Sequence, residues 1–96
     1  MNVELTGKQR RHLRGLAHNL RPVVQVGQAG MTDAVLAAID EALRDHELIK
    51  VRLNAPEDKK AQAQSVADAL EAALCGVIGH TIILFRPDPE APKITL

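Results

Sequence analysis

Apolar positions along the chain recur with two different periods, and the changes of period mark out its elements. Leu5, Gln9, Leu13, Leu16 and Ala17 fall on one arc of a helix running from about Thr6, a plausible N-cap, to His18. Pro22 to Val26 reads as a short strand in β-favouring residues. A second helix is expected over roughly Asp33 to Arg44, capped by Thr32. Its apolar stripe is Val35, Leu36, Ile39 and Leu43, with Asp33, Asp40 and Glu41 outside. Glu47 to Leu53 switches to alternation, with Ile49, Val51 and Leu53 on one face and Lys50 and Arg52 on the other.

A third helix is expected to open with Pro56 at its first position, carry Glu57 and Asp58, and end near Leu74 with Gly76 as a stop. Ala63, Val66, Ala67, Leu70, Ala73 and Leu74 form its buried side. Val77 to Arg86 reads as a short strand and a longer one, joined by a type II′ turn at Gly79-His80. Pro87 to Leu96 holds too many prolines for a helix and reads as an extended or loose tail. The order α-β-α-β-α-β-β predicts an α/β fold of the α+β sandwich type, with right-handed crossovers and a mixed four-stranded sheet. The whole chain, residues 1–96, is expected to form one domain.

Composition narrows the reading. The chain is 46% hydrophobic and 25% charged, the balance of a globular protein. Phe85 is the one aromatic residue, so the core must be aliphatic and stacking of bases on aromatic rings is disfavoured. A polar, helix-like start and the lack of long apolar runs argue against a signal peptide, a membrane span or a membrane partner. The single cysteine, Cys75, suits a reducing cytoplasm and reads as a buried structural thiol.

Twelve Lys and Arg balance twelve Asp and Glu, but not evenly along the chain. Up to Gly30 the chain carries Lys8, Arg10, Arg11, Arg14 and Arg21 against Glu4 alone, whereas acids dominate from Asp33 to Asp58. On the first helix Arg10, Arg11, Arg14 and His18 share the arc opposite the apolar one, with Lys8 and His12 on its flanks. That face is either plain solvated surface or a polyanion contact, and no acid pairs with it.

Catalytic chemistry finds no footing. His12, His18, His46 and His80 include no pair at the i, i+4 spacing of a helical metal site, and Cys75 completes no ligand pattern. Ser65 lies mid-helix without a nucleophile turn, and His46 beside Asp45 and Glu47 reads as a turn residue. No enzyme activity, catalytic residue, metal, cofactor or small-molecule substrate is implied.

One short motif remains. Gly27-Gln28-Ala29-Gly30 lies between the first strand and the second helix, downstream of the basic helix. It lacks the Lys-Ser/Thr of a nucleotide P-loop and the third glycine of a dinucleotide fingerprint. It can be a plain turn, or a backbone clamp on phosphates assisted by the free N–H groups of the next helix. Asp33, in the first turn of that helix, competes for the same position.

Four segments carry a wider resemblance: L-T-G-K-Q-R-R-H-L-R-G-L-A-H from Leu5 to His18, R-P-V-V-Q-V-G-Q-A-G-M-T from Arg21 to Thr32, H-E-L-I-K-V-R from His46 to Arg52, and I-G-H-T-I-I-L-F-R-P from Ile78 to Pro87. In order and spacing they resemble the chloroplast RNA splicing and ribosome maturation (CRM) domain, in its small bacterial YhbY-like form. The resemblance implies a fold related to the C-terminal domain of a translation initiation factor, with a KH-like G-x-x-G loop. It further implies RNA binding and association with precursors of the large ribosomal subunit. The family's loop glycines map to Gly27 and Gly30. Where its loop often carries Lys or Arg this chain has Gln28 and Ala29, so the grip is expected from backbone and the first helix.

The expected function is thus that of a non-catalytic ribosome assembly factor binding rRNA. The expected contacts are Gly27, Gln28, Ala29 and Gly30, the helical cations Arg10, Arg11, Arg14 and His18, and Lys50, Arg52 and Arg86 if the polar side of the sheet is open. Recognition is expected to follow RNA shape and backbone more than base identity. The main rival is an adaptor docking on ribosomal proteins through the acidic second helix; a small-metabolite regulatory domain is the third reading.

Overall fold

The structure is a computed structural model and describes residues 4–96. Seven elements follow in the expected order: α1 (Gly7–Ala17), β1 (Pro22–Gln25), α2 (Asp33–His46), β2 (Leu48–Arg52), α3 (Lys59–Ala69), β3 (Ala73–Ile78) and β4 (Thr81–Phe85). The four strands form one mixed sheet in the order β1-β2-β4-β3. β1 lies parallel to β2, and β4 pairs antiparallel with both β2 and β3. β3, although next after α3 in the chain, therefore takes the edge, and the hairpin returns β4 to the centre.

Local signals account for most boundaries. Thr6 caps α1 in a reciprocal box, its Oγ1 accepting from Gln9 N–H at 3.1 Å while Gln9 Oε1 accepts from Thr6 N–H at 3.0 Å. Thr32 Oγ1 likewise accepts from Val35 N–H at 3.2 Å to open α2. At the β3–β4 turn Gly79 has φ +58 while His80 is not among the positive-φ residues, the sign pattern of the expected II′ turn.

The third helix departs from expectation at both ends. Its N-cap is Asp58, whose Oδ1 accepts from Ala61 N–H at 3.0 Å, so Pro56 stands outside the helix. It stops at Ala69, and Glu71 reverses the chain at φ +54. Ala73 and Leu74 are strand residues opposite Phe85 and Leu84. Ala and Leu suit a helix locally, but Ala73 and Cys75 bury fully as strand residues, and pairing outweighs a propensity difference of a few tenths of a kcal/mol per residue. Gly76 is thus a strand residue as well, and α2 runs two residues beyond Arg44, to His46.

The sheet has a helical layer on each face. On one, α2 and α3 bury Ile39, Leu43, Ala63, Val66 and Ala67 against Ile49, Val51, Ile82 and Leu84. On the other, α1 buries Leu13 and Ala17 against Leu48, Cys75, Ile83 and Phe85. Leu16, expected to be buried, is 46% exposed because only the Leu13–Ala17 line meets the sheet. Eleven residues of helix cannot roof a four-stranded sheet, so part of the α1 face stays open.

The chain after β4 is tied down by the Glu47 side chain and by Lys93, whose Nζ donates to Asp45 O at 3.2 Å. Glu47, just beyond α2, is 1% exposed and has φ 62 and ψ −47. Its Oε2 accepts from Asp88 N–H at 2.6 Å, and its Oε1 accepts from Lys93 and Ile94 N–H, both at 2.9 Å. Ile94 then packs against the α1-side core.

Candidate nucleic-acid interface

The two glycines of the loop do different things. Gly30 has φ +77, in the left-handed region, and its N–H donates to Gly27 O at 3.0 Å to close the turn. Gly27 has no such backbone constraint, and a Cβ built on it would meet nothing within 4 Å. The fold requires glycine at the second position only; at the first, the missing side chain leaves open space above the backbone. Asn54, just past β2, holds the loop by donating from Nδ2 to Gly27 O at 3.1 Å. The two lie 27 residues apart, so no local sequence signal could have singled out Asn54.

Around this loop the backbone presents donors. Among the described residues, no hydrogen bond within the protein takes the N–H groups of Gln28 and Ala29, or of Asp33 and Ala34 at the start of α2. They lie at the positive end of the α2 dipole. The Asp33 carboxylate lies in the same first turn.

Sheet register decides which cations join them. Val26 N–H donates to Arg52 O at 2.8 Å, and Gln25 pairs with Arg52, so Arg52 stands beside the strand that enters the loop. Arg52 is exposed, and Lys50, on the same face, reaches back to donate to His18 O at 3.3 Å. α1 borders this open face. Arg14 lies across β3, donating from Nη1 to Cys75 O at 3.0 Å, and a Cβ on Gly76 would come within 2.9 Å of Arg14 Cδ. Arg10 donates to Leu5 O at 3.0 Å. Each guanidinium has five N–H donors, so one bond fixes its place and leaves four for a ligand. Arg11 and His18 are exposed. Burial pushes the Cys75 thiol up to about 11, against the pull of Arg10 and Arg14.

α1 and all four strands contain no acidic residue. The carboxylates lie on α2, α3, the loops and the tail. The charged side chains that α1 and the strands contribute to this face are therefore all cations, although the chain's net charge is zero.

Arg86 does not belong to this set. It lies on the α2–α3 side, where Nη1 meets Asp40 Oδ1 at 2.7 Å and Leu70 O at 2.8 Å, and Nη2 donates to Asp40 O at 3.1 Å. Asp40 is further paired with Arg44 at 2.9 Å. Register explains the separation. Leu48 pairs with Phe85, so Phe85 shares the face of Lys50 and Arg52, and the next residue points the other way.

No group of three or more His, Cys, Asp or Glu side chains that could hold a metal occurs among the described residues, and no helix there is long and apolar enough to cross a membrane.

A G-x-x-G loop between a strand and a helix is what the sequence resemblance implied, and comparison with known families decides the family. The model of the CRS1/YhbY (CRM) domain matches residues 5–86. The chain belongs to this family. Among its CRM relatives, a Haemophilus influenzae protein named RNA-binding protein is 45% identical over 94 residues, covering 96% of this chain and 94% of its own. A Bacillus subtilis relative, named probable RNA-binding protein YqeI, is 43% identical over 94 residues, covering 96% of this chain and 98% of its own. The CRM fold is matched by the solution structure of the hypothetical protein SAV1595 from Staphylococcus aureus, provisionally assigned there to RNA binding. It has a TM-score of 0.84 and 41% identity, covering 97% of this chain and 99% of that one.

Proposed function

We propose that this CRM protein is a non-catalytic RNA-binding protein, that its whole length serves as one RNA-binding domain, and that it acts in the cytoplasm on rRNA of the large-subunit precursor. The observation that carries the reading is the set of unused N–H groups at Gln28 and Ala29 and at Asp33 and Ala34 of α2, on the border of a sheet face to which α1 and the strands contribute cations and no acid. Main-chain N–H groups and a helix N-terminus suit a phosphate backbone without selecting a base. Lys50, Arg52 and Arg11 supply neutralising charge there, with His18 exposed beside them and Arg10 and Arg14 held in place by the carbonyls they bind. Arg86, spent on Asp40 and Leu70 O, supports the fold and not the contact. The names of the relatives point the same way.

The test is the salt dependence of binding to single-stranded RNA. Neutralising roughly four to six phosphates gives a log–log slope of about −3 to −4. Gly27→Asp is the cleaner loop variant: its Cβ has room, whereas Gly30→Asp would also strain a residue at φ +77. A folded Gly27→Asp protein with unchanged affinity, or a flat salt response, would overturn the reading. Sedimentation of lysate before and after nuclease treatment checks the ribosomal part. Association with the large-subunit precursor that vanishes with the RNA supports it, and RNA-independent association favours an adaptor on ribosomal proteins.

A further inference from the structure

The α1 face of the sheet is covered only as far as one cross-strand row: Lys50, Ile83 and Gly76 pair across β2, β4 and β3. Lys50 reaches back to His18, Ile83 is buried, and Arg14 lies over Gly76. The next row is bare. Gln25 pairs with Arg52, Arg52 with Thr81, and Thr81 with Ile78, so four side chains from four strands stand abreast on one face. Gln25 and Arg52 are exposed, Ile78 is 63% exposed, and neither Gln25 nor Arg52 uses its side chain in a hydrogen bond or ion pair within the described structure. The row spans about 14 Å at the usual strand spacing. It starts two residues before Gly27, so its near end adjoins the loop.

From this placement, and resting on the RNA-binding reading above, we propose that the row Gln25–Arg52–Thr81–Ile78 is a base-reading ledge for single-stranded RNA, on which Arg52 selects guanine. The chemistry of the row differs from that of a phosphate grip. A guanidinium fork matches the O6 and N7 acceptors of guanine, and its plane can also stack on a base. An exposed isoleucine gives an apolar platform in a sheet that has no exposed aromatic. Charge complementarity argues for a nucleic-acid occupant: Arg14 and Lys50 flank the row, and neither α1 nor any strand contributes an acid. A duplex keeps its bases stacked inside and cannot use such a ledge, so the ligand is an unpaired segment.

The experiment compares two single-stranded RNA oligonucleotides of equal length, one containing guanine and one without, against the full chain and the Arg52→Lys variant. Lysine keeps the charge and loses the fork. The wild type is expected to prefer the guanine-containing strand by about 5-fold or more, the lower end for one bidentate base contact. In Arg52→Lys that preference collapses while the salt slope holds. Replacing guanine by 7-deazaguanine, which lacks N7, weakens wild-type binding and leaves Arg52→Lys unaffected. Salt-dependent binding with no guanine preference, or with a preference that survives in Arg52→Lys, overturns the ledge and leaves the RNA-binding reading standing. Failure of the wild type to bind either strand at low salt overturns both.

Discussion

Glu47 offers the sharpest quantitative test of how this fold holds together. The residue occupies φ 62 and ψ −47, close to the strained classic γ-turn, where glycine would be the easy choice. A non-glycine residue there costs on the order of 1–3 kcal/mol. Against that, its carboxylate accepts N–H bonds from Asp88, Lys93 and Ile94, at 2.6, 2.9 and 2.9 Å. Bonds to a charged acceptor contribute roughly 1.5–3 kcal/mol each, and burying the carboxylate takes back several kcal/mol. Glu47→Ala removes the acceptor, keeps the backbone strain, and frees Ile94 from the α1-side core. Its expected cost is about 2–4 kcal/mol. Glu47→Gly loses the same bonds but relieves the backbone, and should recover about 1 kcal/mol relative to alanine after its own entropy cost. Denaturant unfolding followed by far-UV circular dichroism measures both, and amide exchange at Lys93 and Ile94 reports the tail directly. If Glu47→Ala unfolds within about 0.5 kcal/mol of wild type, the ordinary range for surface substitutions, and those amides stay protected, the clasp has been misjudged.

Arg52→Ala and Arg86→Ala should separate cleanly. The first is expected to lower RNA affinity, most for guanine-containing strands, with stability unchanged; the second should cost about 2–3 kcal/mol through its lost Asp40 and Leu70 contacts and leave RNA affinity alone. Gly76→Ala forces Arg14 off β3, so a loss of about 1–2 kcal/mol is expected in the same unfolding assay. Cys75, with its thiol raised to about 11, should resist alkylation at pH 8 in the native protein and react once it is unfolded. Because the folded pKa lies above the unfolded one, this group's stability contribution is complete below the unfolded value. It falls as pH rises toward 11, which a pH series of unfolding curves would detect. Asp88, whose carboxylate accepts the N–H groups of Glu90 and Ala91, should titrate below the ordinary aspartate value in an NMR titration.

Local chemistry by itself determined the seven elements, the caps at Thr6 and Thr32, the hairpin at Gly79-His80 and the shared face of Lys50 and Arg52. Each depends on residues within about one turn or one strand of each other, so spacing carries the information. Tertiary structure decided the rest. The end of α3 could not be read, because Ala69 to Leu74 is helix-forming in isolation and becomes strand only where β4 offers a partner. Arg86 resembled Lys50 and Arg52 in type and setting, but its side depends on the pairing of Leu48 with Phe85, and a shift of one residue would reverse it. Glu47 sat among acids that looked solvated, and its three partners lie more than 40 residues away. The glycine loop divided along the same line. Its position between strand and helix was visible in the chain, whereas the distinct roles of Gly27 and Gly30 follow from a backbone angle and an open space that exist only once Asn54 and α2 are in place.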